Sequence, residues 1–388
     1  MSTGCRTARR HWRVCATVAA LAVFSGVRAG TYIPSSDSQV LVELPPGARH
    51  VDAATRDQTL SRIDLAVPIA QFYISRARAT GDLRFLGYAE SVLSPWFKKP
   101  EVPSEIRVLY ATVLQSRHSF VAALSQLDLA LHSNPNNPQA WLTRATVLRV
   151  LGRYDEALAS CQHLANSADP SIATLCEQSI YSLTGHLRSA YAAVVSLSPQ
   201  TLAPEARVWR YSELGEMAER LGNDSSAEHW FRNGLEVAPD DFYIRAAYAD
   251  LLLRQHRAQE TLALLQGYES MEPMLLRIAI AKLLLEPGFQ TTARDLLAAA
   301  FAAEEQRGDG VHRREQARFF LDVDPEPENA LAAARQNWQI QREPDDALIL
   351  LRAALAAHRR EDALPAREFL ARQNLEDARL TAVLEATP

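Results

Sequence analysis

The fold can be inferred from residues 141–170, which read WLTRATVLRVLGRYDEALASCQHLANSADP. Trp141, Ala145 and Leu148 follow one another at spacings of four and three residues, so they lie on one face of a helix. Gly152 then ends that helix, because glycine adopts the left-handed conformation of a helix stop without a steric cost. Residues 141–152 therefore predict one amphipathic helix and the turn after it.

A second helix follows this turn. Tyr154 resumes the apolar pattern, and Asp155 and Glu156 occupy the first helical turn, where carboxylates suit the positive end of the helix dipole. Ala157 and Cys161 continue the buried side. The stretch thus predicts two antiparallel helices, and a side chain as small as that of Ala157 lets them approach closely.

The same hairpin recurs along the chain at a nearly constant period. Small or short residues are spaced by 34, 33, 37, 34 and 32 residues, at Ala123, Ala157, Ala190, Ala227, Thr261 and Ala293. Five residues before each of them stands a turn residue, at His118, Gly152, Gly185, Gly222, His256 and Gly288. This period predicts a helical solenoid, in which each hairpin buries its apolar face against its neighbours.

Two copies of the hairpin carry the pattern of a known family. The first copy has Trp141, Ala145, Leu148, Gly152, Tyr154, Ala157 and Pro170, and the second has Leu214, Gly215, Ala218, Gly222, Ala227, Phe231 and Pro239. Both resemble the tetratricopeptide repeat, although Arg144 stands where that family usually has an apolar residue. The resemblance implies an all-α fold, a right-handed α-solenoid of tetratricopeptide-like helical hairpins.

The chain divides into five regions on this basis. They are a signal peptide at 1–29, an extended N-terminal segment at 30–62, a degenerate helical hairpin at 63–103, an array of about six repeats at 104–303, and degenerate hairpins with a C-terminal cap at 304–388. The alternating run 39–44 favours a short extended segment laid on the first helices, or a mobile tether. Residues 304–311 form a polar break, either a hinge or an exposed loop.

The first 29 residues are typical of a secretory signal peptide. Arginines precede an apolar run from Val14 to Phe24, and small residues ending at Ala29 offer a cleavage site before Gly30. The run is short for a membrane span, and an uncleaved anchor is the alternative. We expect Sec-type export to the periplasm or secretion, cleavage near Ala29, and no stable transmembrane anchor afterwards.

Export changes the charge of the protein. The whole chain has 41 basic and 46 acidic residues, and residues 1–29 contain five arginines and no acidic residue, which leaves 36 against 46 and a formal charge of about −10. An acidic chain without a basic block has no long-range attraction for phosphate backbones. Nucleic acid is therefore excluded as an expected partner.

The resemblance also indicates where a partner would bind. In proteins with these repeats, the first helix of each unit lines a concave surface that commonly binds an extended peptide or a helix. By position, this surface would include Arg149, Trp209, Glu216, Tyr243, Asp250, Arg254 and Lys282. In one interpretation, Trp209 and Tyr243 anchor a partner protein while the arginines meet its carboxylates or carbonyls. In the other, the aromatic rings pack against neighbouring repeats and the charges form a solvated face.

Two cysteines remain after removal of the signal peptide. Cys161 lies on the buried side of a second helix, and Cys176 lies in the first helix of the next unit. Packing of adjacent units could bring them together as a disulfide in an oxidising compartment, or they are two buried free thiols.

No catalytic, metal-binding or cofactor motif is found in the sequence. The histidines are dispersed without metal-ligand spacing, and Gly-rich phosphate loops and nucleophile motifs are absent. We therefore expect no enzymatic activity, no metal and no cofactor. The leading hypothesis is an exported scaffold that binds another protein on the concave face. The alternative is a permanent accessory subunit of a membrane-associated secretion, transport or metal-handling assembly.

Overall fold

The structure is a computed structural model, and it describes residues 62–166, 169–288, 292–307 and 312–386. The signal peptide, its cleavage site near Ala29 and the N-terminal segment up to residue 61 lie outside these residues, so they stay predictions. Every regular element within the described ranges is a helix, which confirms the all-α prediction.

Nineteen α-helices lie in the described part of the chain. The first ten are α1 (Ile63–Thr80), α2 (Arg84–Leu93), α3 (Ser104–Ser116), α4 (Phe120–Ser133), α5 (Pro138–Val150), α6 (Tyr154–Gln162), α7 (Pro170–Tyr181), α8 (Leu187–Ser196), α9 (Pro204–Arg220) and α10 (Asp224–Val237). The others are α11 (Phe242–Arg254), α12 (Ala258–Leu264), α13 (Glu272–Leu285), α14 (Thr292–Arg307), α15 (Arg313–Asp322), α16 (Pro327–Ile340), α17 (Pro344–Ala356), α18 (Leu364–Gln373) and α19 (Thr381–Ala386).

Successive helices pair as antiparallel hairpins. We number these from hairpin 1, formed by α1 and α2, to hairpin 9, formed by α17 and α18. Hairpins 2 to 7 extend from Ser104 to Arg307, and neighbouring hairpins in this range pack on one another. The result is the helical solenoid that the 34-residue period predicts.

The turns inside the hairpins have the backbone conformation expected from the sequence. The φ angle is positive at each of the six predicted turn residues, His118, Gly152, Gly185, Gly222, His256 and Gly288. The two histidines adopt this conformation at φ of 56° and 60°. At Gly152 the restriction is also steric, because a Cβ atom there would lie 2.8 Å from the ring of Phe369.

The recurring small residues lie where the two helices of a hairpin meet. Ala123, Ala157, Ala190, Ala227, Thr261 and Ala293 are all buried. An especially close approach is that between α9 and α10, where a Cβ atom on Gly215 would lie 2.2 Å from the ring of Phe231. These positions confirm that the sequence period reports helix-to-helix packing.

The last two hairpins fold back onto the array. The main-chain N–H of Arg342 donates to the carbonyl oxygen of Val150 at 2.8 Å, and the Tyr154 hydroxyl donates to the carbonyl oxygen of Arg342 at 3.3 Å. The rings of Tyr154 and Phe369 are 5.8 Å apart. Farther along, Asn374 and Ala378 lie against the turn glycines of hairpins 4 and 5, Gly185 and Gly222.

One apolar core joins these distant parts of the chain. It includes residues of hairpins 2 to 4 and of hairpins 8 and 9, with Leu148 and Tyr154 on one side and Leu350 and Phe369 on the other. The sequence predicts degenerate hairpins and a C-terminal cap in residues 304–388. The structure has hairpins 8 and 9 in this region, and they pack back across the array because they carry apolar side chains toward those repeats.

Two further features correct or extend the predictions from sequence. The sequence predicts a polar break at 304–311, but α14 continues to Arg307, and within this stretch residues 308–311 lie outside the described ranges.

At the other end of the described residues, hairpin 1 meets hairpin 6, since a Cβ atom on Gly81 would lie 3.2 Å from the ring of Phe242. Among the described helices, none has both the length and the apolar character needed to span a bilayer.

Candidate functional site

The seven residues assigned to the concave face lie on the first helices of four hairpins. Arg149 is on α5, Trp209 and Glu216 are on α9, Tyr243, Asp250 and Arg254 are on α11, and Lys282 is on α13. We call the surface formed by α5, α9, α11 and α13 the first-helix surface. It is the part of the molecule on which the predicted partner-binding residues lie.

Arg149 is the centre of a network of carboxylates on this surface. Its guanidinium lies 2.9 Å from the carboxylate of Glu213, 3.6 Å from that of Glu216 and 3.9 Å from that of Glu343. The indole N–H of Trp209 donates to the same Glu213 oxygen that Arg149 contacts, at 3.0 Å. Arg149 is thus held by acidic groups of this chain, one of them from the C-terminal hairpins.

The charged residues of α11 are paired in the same way. Asp250 accepts hydrogen bonds from Arg277 of α13 and Arg318 of α15, each at 2.5 Å. Arg254 lies 2.8 Å from Glu219 and 3.1 Å from Asp224. Arg149 and Arg254 thus both contact carboxylates of this chain, and their role in partner binding stays a prediction.

The partners of these residues were not predicted from the sequence. Glu213 and Glu219 lie on α9, one helical turn to either side of Glu216, and the helical spacing of three residues could have identified them. Glu343 and Arg318 come from the C-terminal hairpins, and no local signal connects them with the array. Their positions depend on how hairpins 8 and 9 fold back.

Three of the seven residues are exposed, namely Tyr243, Arg254 and Lys282. Tyr243 is 55% exposed and its hydroxyl donates to the carboxylate of Glu216. Lys282 is exposed, and Trp209 is half-buried. Trp209 and Arg149 line a small cavity of about 40 Å³.

Burial changes the proton affinity of the acidic groups in this region. Burial, together with repulsion from Glu213, raises the pKa of Glu216 to about 7, and the attraction of Arg149 offsets this only in part. Burial likewise raises the pKa of Glu219 to about 7, although Arg379 and Arg254 favour its charged form. Both carboxyl groups therefore titrate near neutral pH.

One cluster has the donor types of a metal site. Glu272, Glu304 and His312 place one donor atom each within 4.8 Å of one another. The Nδ1 atom of His312 lies 2.7 Å from Glu304 and 3.2 Å from Glu272. Burial lowers the pKa of His312, but hydrogen bonds to both glutamates outweigh it and raise the pKa to about 10. A protonated His312 therefore bridges the two carboxylates, and a metal would have to displace that proton.

A separate cleft of about 280 Å³ lies between α4, α5 and α6. The indole of Trp141 and the imidazole of His163 stack there with ring centroids 3.9 Å apart. The guanidinium of Arg144 donates to Asp128 at 3.0 Å and to Ser160 at 2.8 Å. The arginine that departs from the repeat pattern thus ties the two helices of hairpin 3 to α4.

Cys161 and Cys176 form a disulfide, with a Cα–Cα distance of 5.5 Å. The bond connects α6 with α7, so it links hairpin 3 to hairpin 4. Of the two alternatives left open by the sequence, the structure contains the bonded form.

Comparison with known proteins agrees with the repeat architecture. The family model of the tetratricopeptide repeat matches residues 127–159, which run from α4 through α5 into α6. No curated protein sequence matches the chain.

Several solved structures resemble the fold. A thermophilic tetratricopeptide repeat protein of Thermus thermophilus has 19% identity and a TM-score of 0.38, over 48% of this chain and 97% of its own. The Rap conjugation gene regulator of plasmid pLS20, in complex with the Phr* peptide, has 18% identity and a TM-score of 0.42, over 68% of this chain and 80% of its own. A tetratricopeptide repeat protein of Parabacteroides merdae has 15% identity and a TM-score of 0.35, over 82% of this chain and 99% of its own. At these values the similarity carries no functional argument.

Proposed function

We propose that this chain is a non-enzymatic scaffold, exported to the cell envelope, that binds a segment of another protein on the first-helix surface. The proposal rests on the helical solenoid and on the match of residues 127–159 to the tetratricopeptide repeat. Helical repeats stack into extended surfaces, and this is how such proteins commonly bind peptides and helices. The export part of the proposal rests on the composition of residues 1–29, and the disulfide is consistent with an oxidising compartment.

The main support for a binding site on the first-helix surface is the exposure of Tyr243. Tyr243 is 55% exposed although it lies on the surface where hairpins 5 and 6 meet, and its hydroxyl is fixed by Glu216. A large aromatic ring that is accessible yet held in place is the kind of residue that dominates binding energy at protein interfaces. Lys282, exposed on the next first helix, extends the surface.

The alternative, a permanent accessory subunit, is favoured by a different surface. On hairpin 1, Phe72 is 59% exposed and Tyr88 is 50% exposed. Together with Tyr73 and Phe85 they form an aromatic cluster, in which neighbouring ring centroids are 5.5 to 6.3 Å apart. A contiguous exposed aromatic cluster is typical of a protein interaction surface, and this supports a lasting contact with another subunit.

A pull-down from cell-envelope extracts separates the two candidates. The bait is the full chain as wild type, Tyr243→Ala, Tyr88→Ala, or Val121→Ala as a control at an exposed position on α4. The proposal expects Tyr243→Ala to lose a protein that the other three retain. Loss with Tyr88→Ala and retention with Tyr243→Ala would favour the accessory subunit, and retention by all four baits would refute both sites.

A further inference from the structure

The network around Arg149 contains more negative than positive charge. Within 4 Å, Arg149 and Arg314 pair with four carboxylates, those of Glu213, Glu216, Glu343 and Asp346. Two guanidinium groups against four carboxylates leave an excess of two negative charges if all are ionised. Arg314 lies between Glu343 and Asp346, at 3.1 and 2.6 Å, so it is not available to the α9 glutamates.

The other cation near Glu216, Arg220, is attracted by Glu216 and Glu213, but Asp377 attracts it more strongly, so it supplies only part of the missing positive charge. Arg220, one turn later on α9, donates to the carbonyl oxygen of Ser182 at 2.6 Å and to its hydroxyl at 2.9 Å. The acidic group that acts on it most strongly is Asp377 of the C-terminal segment. Tyr243 donates a hydrogen bond to Glu216 but carries no charge.

Two observations indicate that the carboxylates of Glu213 and Glu216 are not fully neutralised or hydrogen-bonded within the chain. Glu213 is 3% exposed, and among the described residues no group donates a hydrogen bond to its Oε2 atom. A buried carboxylate oxygen without a donor is costly. Burial first, and then repulsion from Glu213, raise the pKa of Glu216, and Arg149 offsets this only in part.

Two members of this network, Glu216 and Tyr243, reach the surface. Glu216 keeps 22% of its side-chain surface exposed, and the accessible ring of Tyr243 stands beside its carboxylate. A carboxylate next to an exposed aromatic face is the pair of groups that binds a guanidinium or an ammonium, through an ion pair and a cation–π contact. We call Glu213, Glu216, Tyr243 and Glu343 the acidic recess.

We infer that the acidic recess binds a cationic side chain, an arginine or a lysine, from a basic segment of the partner protein. The inference rests on the proposed function and specifies its partner by charge. The incoming cation would lie against the ring of Tyr243 and contact Glu216, and it would reduce the negative excess around Arg149. The acidic charge of the whole chain would favour the approach of such a segment.

The test measures fluorescence anisotropy with fluorescein-labelled hexa-arginine, hexa-lysine and hexa-glutamate peptides at pH 8. Wild type and Glu216→Gln are compared with Glu156→Gln, which removes the same charge from an exposed position on α6. We expect Glu216→Gln to weaken binding of the preferred cationic peptide about tenfold, the typical value of one charged hydrogen bond. Glu156→Gln should stay within about twofold, as expected of an exposed ion pair. The two cationic peptides show whether guanidinium or ammonium is preferred.

Binding should also weaken for wild type at pH 5.5, because Glu216 is then protonated. If Glu216→Gln and Glu156→Gln lose the same affinity for the cationic peptide, only the overall charge matters and the inference is overturned. It is also overturned if hexa-glutamate binds wild type as tightly as the cationic peptides do. The glutamine variant mimics the protonated carboxyl, so it is expected to fold, and circular dichroism checks this. If Tyr243→Ala loses a partner in the pull-down while Glu216→Gln retains it, the proposed function stands and the cationic ligand is refuted.

Discussion

Glu219 should make the protein less stable as the pH rises from about 4.5 to about 7. Its side chain is 5% exposed, and burial raises its pKa to about 7 from an ordinary value of 4.5. Because the folded state then binds the proton more tightly than the unfolded state, its contribution to stability is fully present below pH 4.5 and is lost between pH 4.5 and 7. A shift of this size corresponds to about 3 kcal/mol of unfolding free energy at pH above 7.

The substitution Glu219→Gln isolates this effect. Glutamine keeps the shape of the protonated side chain but cannot ionise, and Arg254 keeps Asp224 as a partner at 3.1 Å. The variant should therefore be more stable than wild type by up to about 3 kcal/mol at pH 8.5, and by less than about 1 kcal/mol at pH 5.

Urea unfolding and thermal melting at pH 5.0 and pH 8.5 measure the difference, with Glu156→Gln as the exposed control. Midpoints are compared rather than a single unfolding free energy, because repeat arrays need not unfold in one step. A gain of the same size at both pH values would show that packing, not ionisation, is responsible. A loss of stability at pH 8.5 would show that the ion pair with Arg254 outweighs the cost of burial.

Two further predictions concern packing and the disulfide. Gly215→Ala should lower the free energy of unfolding by about 1 to 3 kcal/mol, because the new methyl group would lie 2.2 Å from the ring of Phe231 in a close-packed hairpin. Thermal melting is compared with that of Gly288→Ala, where a methyl group meets no atom within 4 Å and only backbone strain is added. An unchanged melting temperature for Gly215→Ala would contradict the predicted register of the two helices. Reduction of the Cys161–Cys176 bond, which closes a loop of 15 residues, should lower the free energy of unfolding by about 3 kcal/mol. Urea unfolding with and without reductant measures this loss. The control is the Cys161→Ala/Cys176→Ala variant, whose stability should not depend on reductant.

The sequence was informative about the helices because their signals are local. The turn at Gly152 and the small residue at Ala157 depend on residues within one hairpin, and both are where the period predicts them. The same register placed Glu216 and Tyr243 on first helices, and the structure brings these two side chains into contact. Their role in partner binding stays a prediction.

The sequence was less informative about the charges of the candidate site. Arg149 was assigned to the correct helix, but the residues that neutralise it come from α9 and from Glu343, which is 194 positions later in the chain. A helical period says which side of a helix faces inward and nothing about which distant acidic group will reach it. The acidic partners of Arg149 were not predicted for this reason, and the role of Arg149 and Arg254 in partner binding stays a prediction.

From sequence alone, the class of fold, the helical hairpins and their turn positions were determined, because each follows from residues that are neighbours in one repeat. Only the tertiary structure decided that hairpins 8 and 9 pack over the array, with Phe369 against Gly152 and Glu343 beside Arg149. The physical reason is that small rotations between successive repeats add up along the solenoid, and their sum determines which remote surfaces meet. That sum also decides which part of the first-helix surface remains exposed.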